Sequence, residues 1–259
     1  MIIDLIRNKP KVGEQEGAKL TIFGDIESIK NLKNAKEVKY LYIINIKQLE
    51  FDFFIENYNL VYEFIYFYNM RVADLSRLSM LENIKFLALE LNTKSNRLWD
   101  IEKNRSLLEL YISDFPKLNN LEDLRNTKSI KRLQLSGGMW NSLKVESLEP
   151  LSSLKQLRTL SLSNIKVQNE GLIPLSILTD LEELELPNLF PTKEYAMLSV
   201  KLKNTECAYF APYIKFKEGI DGRDTMVIGK GKPFLNSISN EGILKKYAQE
   251  FERMKKEFE

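Results

Sequence analysis

The feature that most constrains this chain is a short pattern, apolar-x-x-apolar-x-apolar, that returns at nearly constant spacing. It reads Val38-Leu41-Ile43, Tyr62-Ile65-Phe67, Ile84-Leu87-Leu89, Leu107-Leu110-Ile112, Ile130-Leu133-Leu135, Leu157-Leu160-Leu162 and Leu181-Leu184-Leu186. From Leu41 through Ile65, Leu87, Leu110, Leu133 and Leu160 to Leu184 the steps are 24, 22, 23, 23, 27 and 24 residues. A weaker copy at Leu20 and Ile22 comes before these, and one through Ala208 and Phe210 follows, which makes eight or nine coils. A unit this short cannot bury its own apolar edge. Successive units must therefore stack, and stability becomes a sum over neighbouring interfaces.

Between the strand-like segments, apolar residues recur at every third position: Leu75, Leu78, Leu81 and Ile84; Leu148, Leu151, Leu154 and Leu157; Leu172, Leu175, Leu178 and Leu181. A period of three lines side chains along one edge of a tight 3₁₀ turn, where an α-helix needs 3.6. The convex side should therefore be thin. These segments, VADLSRLSMLENIKFL, SLEPLSSLKQLRTLSL and GLIPLSILTDLEELEL, resemble the short, roughly 22-residue class of bacterial leucine-rich repeats found in internalins and in phosphatase-regulator repeat proteins. The resemblance covers residues 18–212. It implies an α/β leucine-rich-repeat solenoid with a parallel concave β-sheet and a 3₁₀ and loop convex side. Two departures qualify it. The family's asparagine falls five places after the middle strand leucine, where this chain has Ile46, Met70 and Ile165, with Asn45, Asn69 and Asn164 one place earlier. Internalins are also exported and surface-anchored, whereas MIIDLIRNKPKVGEQEG has too short an apolar stretch for a signal peptide and no wall-sorting tail is present.

Three parts are expected: an N-terminal cap over residues 1–17, the solenoid over 18–212, and a C-terminal hairpin and amphipathic helix over 213–259. In KEYAMLSVKLK, Tyr195, Leu198 and Leu202 keep helical spacing and should lay a helix over the last coil. TMVIGKGKPFLN reads as two short strands around Gly229-Lys230-Gly231-Lys232, a plain turn that lacks phosphate-loop spacing. In the helix that follows, Ile243, Tyr247, Phe251, Met254 and Phe258 form one apolar face, suited to docking on the adjacent solenoid. Hairpin followed by helix resembles a treble-clef zinc module, here without its cysteines.

Composition narrows the chemistry. There is no histidine and a single cysteine, Cys207, so serine–histidine and cysteine–histidine catalysis are excluded, and no zinc ligand set or intramolecular disulfide is available. Neither cofactor nor metal is expected, and the chain reads as a non-enzyme. A formal charge of +2 supplies no field to recruit nucleic acid or an anionic membrane. No run approaches the roughly 18 apolar residues that span a bilayer. The lone cysteine and the lack of an export signal point to a reducing cytoplasm.

Residues between the inward leucines point out of the concave sheet. They run Tyr40, Tyr42, Ile44; Phe64, Tyr66, Tyr68; Phe86, Ala88, Glu90; Glu109, Tyr111, Ser113; Arg132, Gln134, Ser136; Thr159, Ser161, Ser163; Glu183, Glu185. Aromatics crowd the first coils, although the inward positions already supply a core. The candidate partner-binding residues are Tyr40, Tyr42, Phe64, Tyr66, Tyr68, Phe86, Glu90, Glu109, Tyr111 and Arg132. Trp99 and Trp140, in segments where the repeat lapses, are a second choice; the plainer reading packs both under their loops. Two arrangements of the aromatics stay open: an exposed patch, which marks an interaction site, or rings covered by the N-terminal segment or the C-terminal helix, since YLYIINI and FIYFYNM are apolar on both faces. The function this supports is a non-catalytic protein-binding module. An immunity or antitoxin-like inhibitor of a toxin is one version by analogy. A single-stranded nucleic-acid binder that stacks bases on the rings is a weaker alternative, because Arg132 is the only cation on the concave face.

Overall fold

In the computed structural model, which describes residues 1–58 and 61–259, the repeated apolar triplets become strands stacked in register. Strands β1 (Gln15–Glu16), β2 (Lys19–Phe23), β3 (Tyr40–Ile44), β4 (Phe64–Met70), β5 (Phe86–Asn92), β6 (Glu109–Ser113), β7 (Arg132–Ser136), β9 (Thr159–Ser163) and β11 (Glu183–Glu185) form one nine-stranded sheet in that order. All neighbours from β2 onward are parallel, and β1 closes the first edge antiparallel to β2. The middle residues Leu41, Ile65, Leu87, Leu110, Leu133, Leu160 and Leu184 lie directly opposite one another along the stack. The register is that of the sequence period, because a one-residue slip would turn every leucine out of the core. A bridge between Glu183 and Glu206 begins a ninth coil.

The period of three yields 3₁₀ turns at Ser76–Met80, Ile101–Lys103, Glu122–Leu124, Glu149–Ser153 and Ile173–Ile177. The convex side is not thin throughout. After the N-terminal helix α1 (Ile2–Arg7) come α2 (Ile26–Lys30), which runs into a 3₁₀ turn at Asn31–Asn34, and α3 (Gln48–Tyr58). In α3, Phe51, Phe54 and Ile55 sit at i, i+3 and i+4, so this coil follows the helical period and buries all three.

The misplaced asparagines have a backbone cause. The place four residues after each middle strand residue is left-handed in five coils: Asn45 (φ 63°), Asn69 (φ 56°), Leu91 (φ 59°), Asp114 (φ 54°) and Asn164 (φ 44°). Asn and Asp tolerate that region best. The next residue turns inward, so Ile46, Met70, Phe115 and Ile165 are buried where the family keeps its asparagine, and only Asn92 fills that place with an amide. Its Nδ2 donates to the Val72 carbonyl at 2.8 Å.

The 27-residue step adds a short strand, β8 (Leu143–Val145), which pairs parallel with β10 (Ile165–Val167) of the next coil in a separate two-stranded sheet. At the C-terminal end, α4 (Thr192–Lys201) covers the last coil and buries Tyr195 and Leu198. The appendage has one strand more than the sequence reading: β12 (Tyr213–Ile220), β13 (Arg223–Val227) and β14 (Phe234–Leu235) form an antiparallel sheet. The overlooked signal is Asp221-Gly222, both at positive φ, the two-residue hairpin turn. The Gly229–Lys232 turn binds the end of the solenoid, with the Gly229 N–H donating to Asn188 Oδ1 and the Lys230 N–H to the Phe190 carbonyl, both at 2.7 Å. Helix α5 (Glu241–Lys256) lies on α4, tied by Lys193 to Glu257 at 2.7 Å and by Lys201 Nζ donating to the Phe258 carbonyl at 2.7 Å. Its inward face holds Leu244 and Phe251, while Ile243 points to solvent, so the expected apolar face is rotated by one residue at its start.

Candidate partner-binding surface

The outward positions of the first coils form an apolar cluster separate from the leucine core. Tyr42, Phe64, Tyr66 and Ala88 pack there together, with Tyr40, Phe86 and Tyr111 at the margins. Tyr42 and Phe64 meet edge to face with ring centroids 5.3 Å apart. The sequence reading therefore has their direction right, off the concave side of the sheet. The open patch it allowed is corrected: Tyr42 and Phe64 are 0% exposed and Tyr66 is 2% exposed. The cover is α1. Ile2 is buried in the same cluster, with Leu5 and Ile6 beside it. The Ile2 N–H donates to Glu109 Oε1 at 3.0 Å, and the Tyr42 hydroxyl donates to the Leu5 carbonyl at 3.1 Å. The N-terminal stretch thus divides, with β1 at the sheet edge and α1 inside the concavity, because a row of rings offers an apolar helix face more burial than the end of the stack does.

Burial dominates the chemistry of these groups. It pushes the Tyr42 hydroxyl up to about 12, with Tyr40 adding a little. For Tyr66 burial raises the hydroxyl further still, helped by its 2.7 Å hydrogen bond to the Glu90 carboxylate. Both phenols stay neutral donors. Glu109 accepts from α1 with Oε1, and its Oε2 is buried with no partner among the described residues.

The remaining candidates separate clearly. Tyr68 is 36% exposed; Glu90 and Tyr111 are half-buried; Arg132 is exposed. Trp99 is buried, with its indole N–H donating to Asn104 Oδ1 at 2.7 Å, and Asn104 Nδ2 in turn donates to the Leu78 and Leu81 carbonyls. It is a core residue. Trp140 does not pack under its loop: it is 88% exposed, beside Met139 at 84%.

That loop is held at its base. Its Gly137 N–H donates to the Ser163 carbonyl at 3.1 Å, and the Leu143 N–H donates to the Asn164 carbonyl at 2.9 Å. Asn164 Nδ2 donates to the Gly138 carbonyl at 2.6 Å, and the Ser142 hydroxyl donates to Asn164 Oδ1 at 2.8 Å. A Cβ on Gly138 would run into the Asp114 carboxylate, so any side chain there requires Asp114 to move. The loop follows the C-terminal end of β7, with β5 and β6 between that strand and β4, which carries Tyr68. A hollow of about 220 Å³ beside it is lined by Pro116, Trp140, Asn141, Ser142, Lys144 and Lys166. Lys144 and Lys166 are register partners across β8 and β10.

A second hollow, of about 500 Å³, lies at the far edge of the sheet between β11 and Glu206–Tyr209. It carries Glu183, Glu185 and Glu206, and burial pushes the thiol of Cys207 up to about 11, which favours the protonated form at neutral pH. Among the described residues no three His, Cys, Asp or Glu side chains converge as metal ligands, and no helix is long and apolar enough to cross a membrane.

No family model and no curated protein matches the sequence. Among solved structures the chain is similar to the crystal structure of an internalin C2 from Listeria monocytogenes, with a TM-score of 0.49 and 20% identity over 69% of this chain and 72% of that one. It is also similar to a leucine-rich-repeat protein from Leptospira interrogans, with a TM-score of 0.54 and 18% identity over 80% of this chain, which spans 50% of that one. Likeness to the second at this identity speaks for the fold alone, and together with the register and 3₁₀ turns described above it makes the chain a leucine-rich-repeat solenoid of the kind seen in bacterial repeat proteins, with an antiparallel sheet and helix added at its C-terminal end.

Proposed function

We propose that this chain is a non-catalytic protein-binding module whose contact surface runs along the strand-end edge, from Tyr68 and the half-buried Glu90 and Tyr111 on the concave face to the Met139–Trp140 loop. One observation carries the reading: two large apolar side chains stand almost fully in water on a loop whose base is fastened by four hydrogen bonds. Folding gains nothing from such exposure, since neither side chain is removed from water. A partner that buries them does gain, because Trp is the residue most often found as an interface anchor and a fastened loop has little ordering entropy left to lose. The fold provides a rigid parallel sheet behind the loop, as repeat proteins do for extended binding surfaces. The absence of histidine, with a lone thiol that burial keeps protonated, fits a module that occludes or scaffolds rather than transforms.

The test is affinity capture from a cell extract with the parent chain, Trp140→Ala and Tyr68→Ala in parallel. A specific partner should be recovered by the parent and lost with Trp140→Ala, whose unfolding midpoint should stay within about 0.5 kcal/mol of the parent, as surface changes usually do. A partner retained undiminished by both variants refutes the placement of the site, and no reproducible partner at all refutes the function.

A further inference from the structure

The geometry points to a second contact site. The aromatic groove on the concave face is a receptor for a short amphipathic helix of a partner protein, and α1 is its resident, exchangeable occupant. The proposal extends the protein-binding reading, and its test needs no native partner, so either can fail alone.

The groove is apolar without being part of the core. Its cluster of Tyr42, Phe64, Tyr66 and Ala88 is separate from the leucine cluster that holds the coils together. What lies in it is a helix that presents Ile2, Leu5 and Ile6 at i, i+3 and i+4, the spacing by which helix-in-groove ligands are read. Its first turn meets a carboxylate, Glu109, that accepts the Ile2 N–H and has a second oxygen unused.

The occupant takes its structure from the groove, where the Met1 ammonium also lies 3.7 Å from Glu109. It has only six residues, far below the length at which a helix is stable by itself, so its structure depends on the groove. It leaves Tyr40, Phe86 and Tyr111 only partly covered. The chain behind it is pinned separately: the Thr21 hydroxyl donates to the Pro10 carbonyl at 2.9 Å, the Gly13 N–H donates to the Thr21 carbonyl at 2.8 Å, and β1 pairs with β2. Residues 2–7 can therefore leave while residues 10–16 stay. A longer partner helix with the same apolar spacing would bury the three rings that α1 leaves at the margin.

The probe is a fluorescein-labelled peptide of residues 1–9, titrated by anisotropy into the full chain and into the full chain carrying Ile2→Asp and Leu5→Asp, which expels the resident helix. Saturable binding is expected for the expelled form and at least about tenfold weaker binding for the parent, where the tethered helix competes at an effective concentration of roughly millimolar order. Adding Glu109→Gln to the expelled form should weaken the peptide, and a scrambled peptide should not bind. The proposal is overturned if the expelled form keeps its far-UV dichroism and urea midpoint yet binds no peptide, or if parent and expelled form bind it equally. Should the expelled form not fold, amide exchange of the parent decides: residues 2–7 exchanging well before β3 to β6 supports the proposal, and exchange only together with those strands overturns it. A parent dimer, seen by light scattering, that disappears in the expelled form would assign the groove to a second copy of this chain instead.

Discussion

Phe64→Ala separates the two arrangements the sequence left open. An outward-facing ring on an open concave sheet would lose little on truncation. In the structure the ring is 0% exposed, meets Tyr42 at 5.3 Å and Tyr40 at 6.4 Å between centroids, and shares its cluster with Ile2. Removing a buried Phe side chain costs about 3–5 kcal/mol, of which each lost aromatic pair accounts for about 0.5–1.5. The lower end applies here, because the cover is a six-residue helix that can settle into the space left behind. A cost of about 3 kcal/mol in a chain of this length corresponds to a drop in Tm of roughly 6–12 °C. Differential scanning calorimetry of parent and variant measures it, and limited proteolysis should cut the N-terminal segment sooner in the variant. A Tm within about 2 °C of the parent would refute the burial of this ring and return the aromatics to open surface.

Leu133→Ala and Leu160→Ala remove side chains at adjacent positions of the central stack, 1% and 0% exposed, and should each cost about 2–5 kcal/mol in urea unfolding; midpoints unchanged from the parent would contradict the register. Glu194, half-buried against the last coil with Oε2 accepting the Leu172 N–H at 2.6 Å, has its carboxyl pushed up by burial despite that bond. A raised carboxyl stabilises the fold most below its unfolded value, near 4.3, and that contribution is lost as pH rises through the folded value. Glu194→Gln should therefore gain stability relative to the parent on going from pH 4 to pH 7, measured as the difference in Tm at each pH, and a pH-independent difference would show that burial does not control this group.

The repeat could be read from the sequence because it is a one-dimensional property. Each coil contacts its neighbours in the same way, so the spacing of Leu41, Ile65, Leu87 and their successors determined strand register, sheet direction and the 3₁₀ turns before any coordinate was needed. The helical coil at α3 and the Asp221-Gly222 hairpin were also written locally, in i, i+3, i+4 spacing and in a turn dipeptide. The direction of the concave aromatics followed from the alternation of a strand. Their burial did not, because the cluster that holds Phe64 is completed by Ile2, 62 positions away in the chain and outside the repeat. The fate of the two tryptophans was equally out of reach: both lie in irregular segments, and Trp99 donates to Asn104, itself held by carbonyls of the preceding coil, while Trp140 stays in solvent. Periodicity settles which face of the sheet a side chain occupies, since alternation is a property of the backbone. Whether that face is wet or covered depends on contacts between segments that share no period, and those are decided only when the chain folds back on itself.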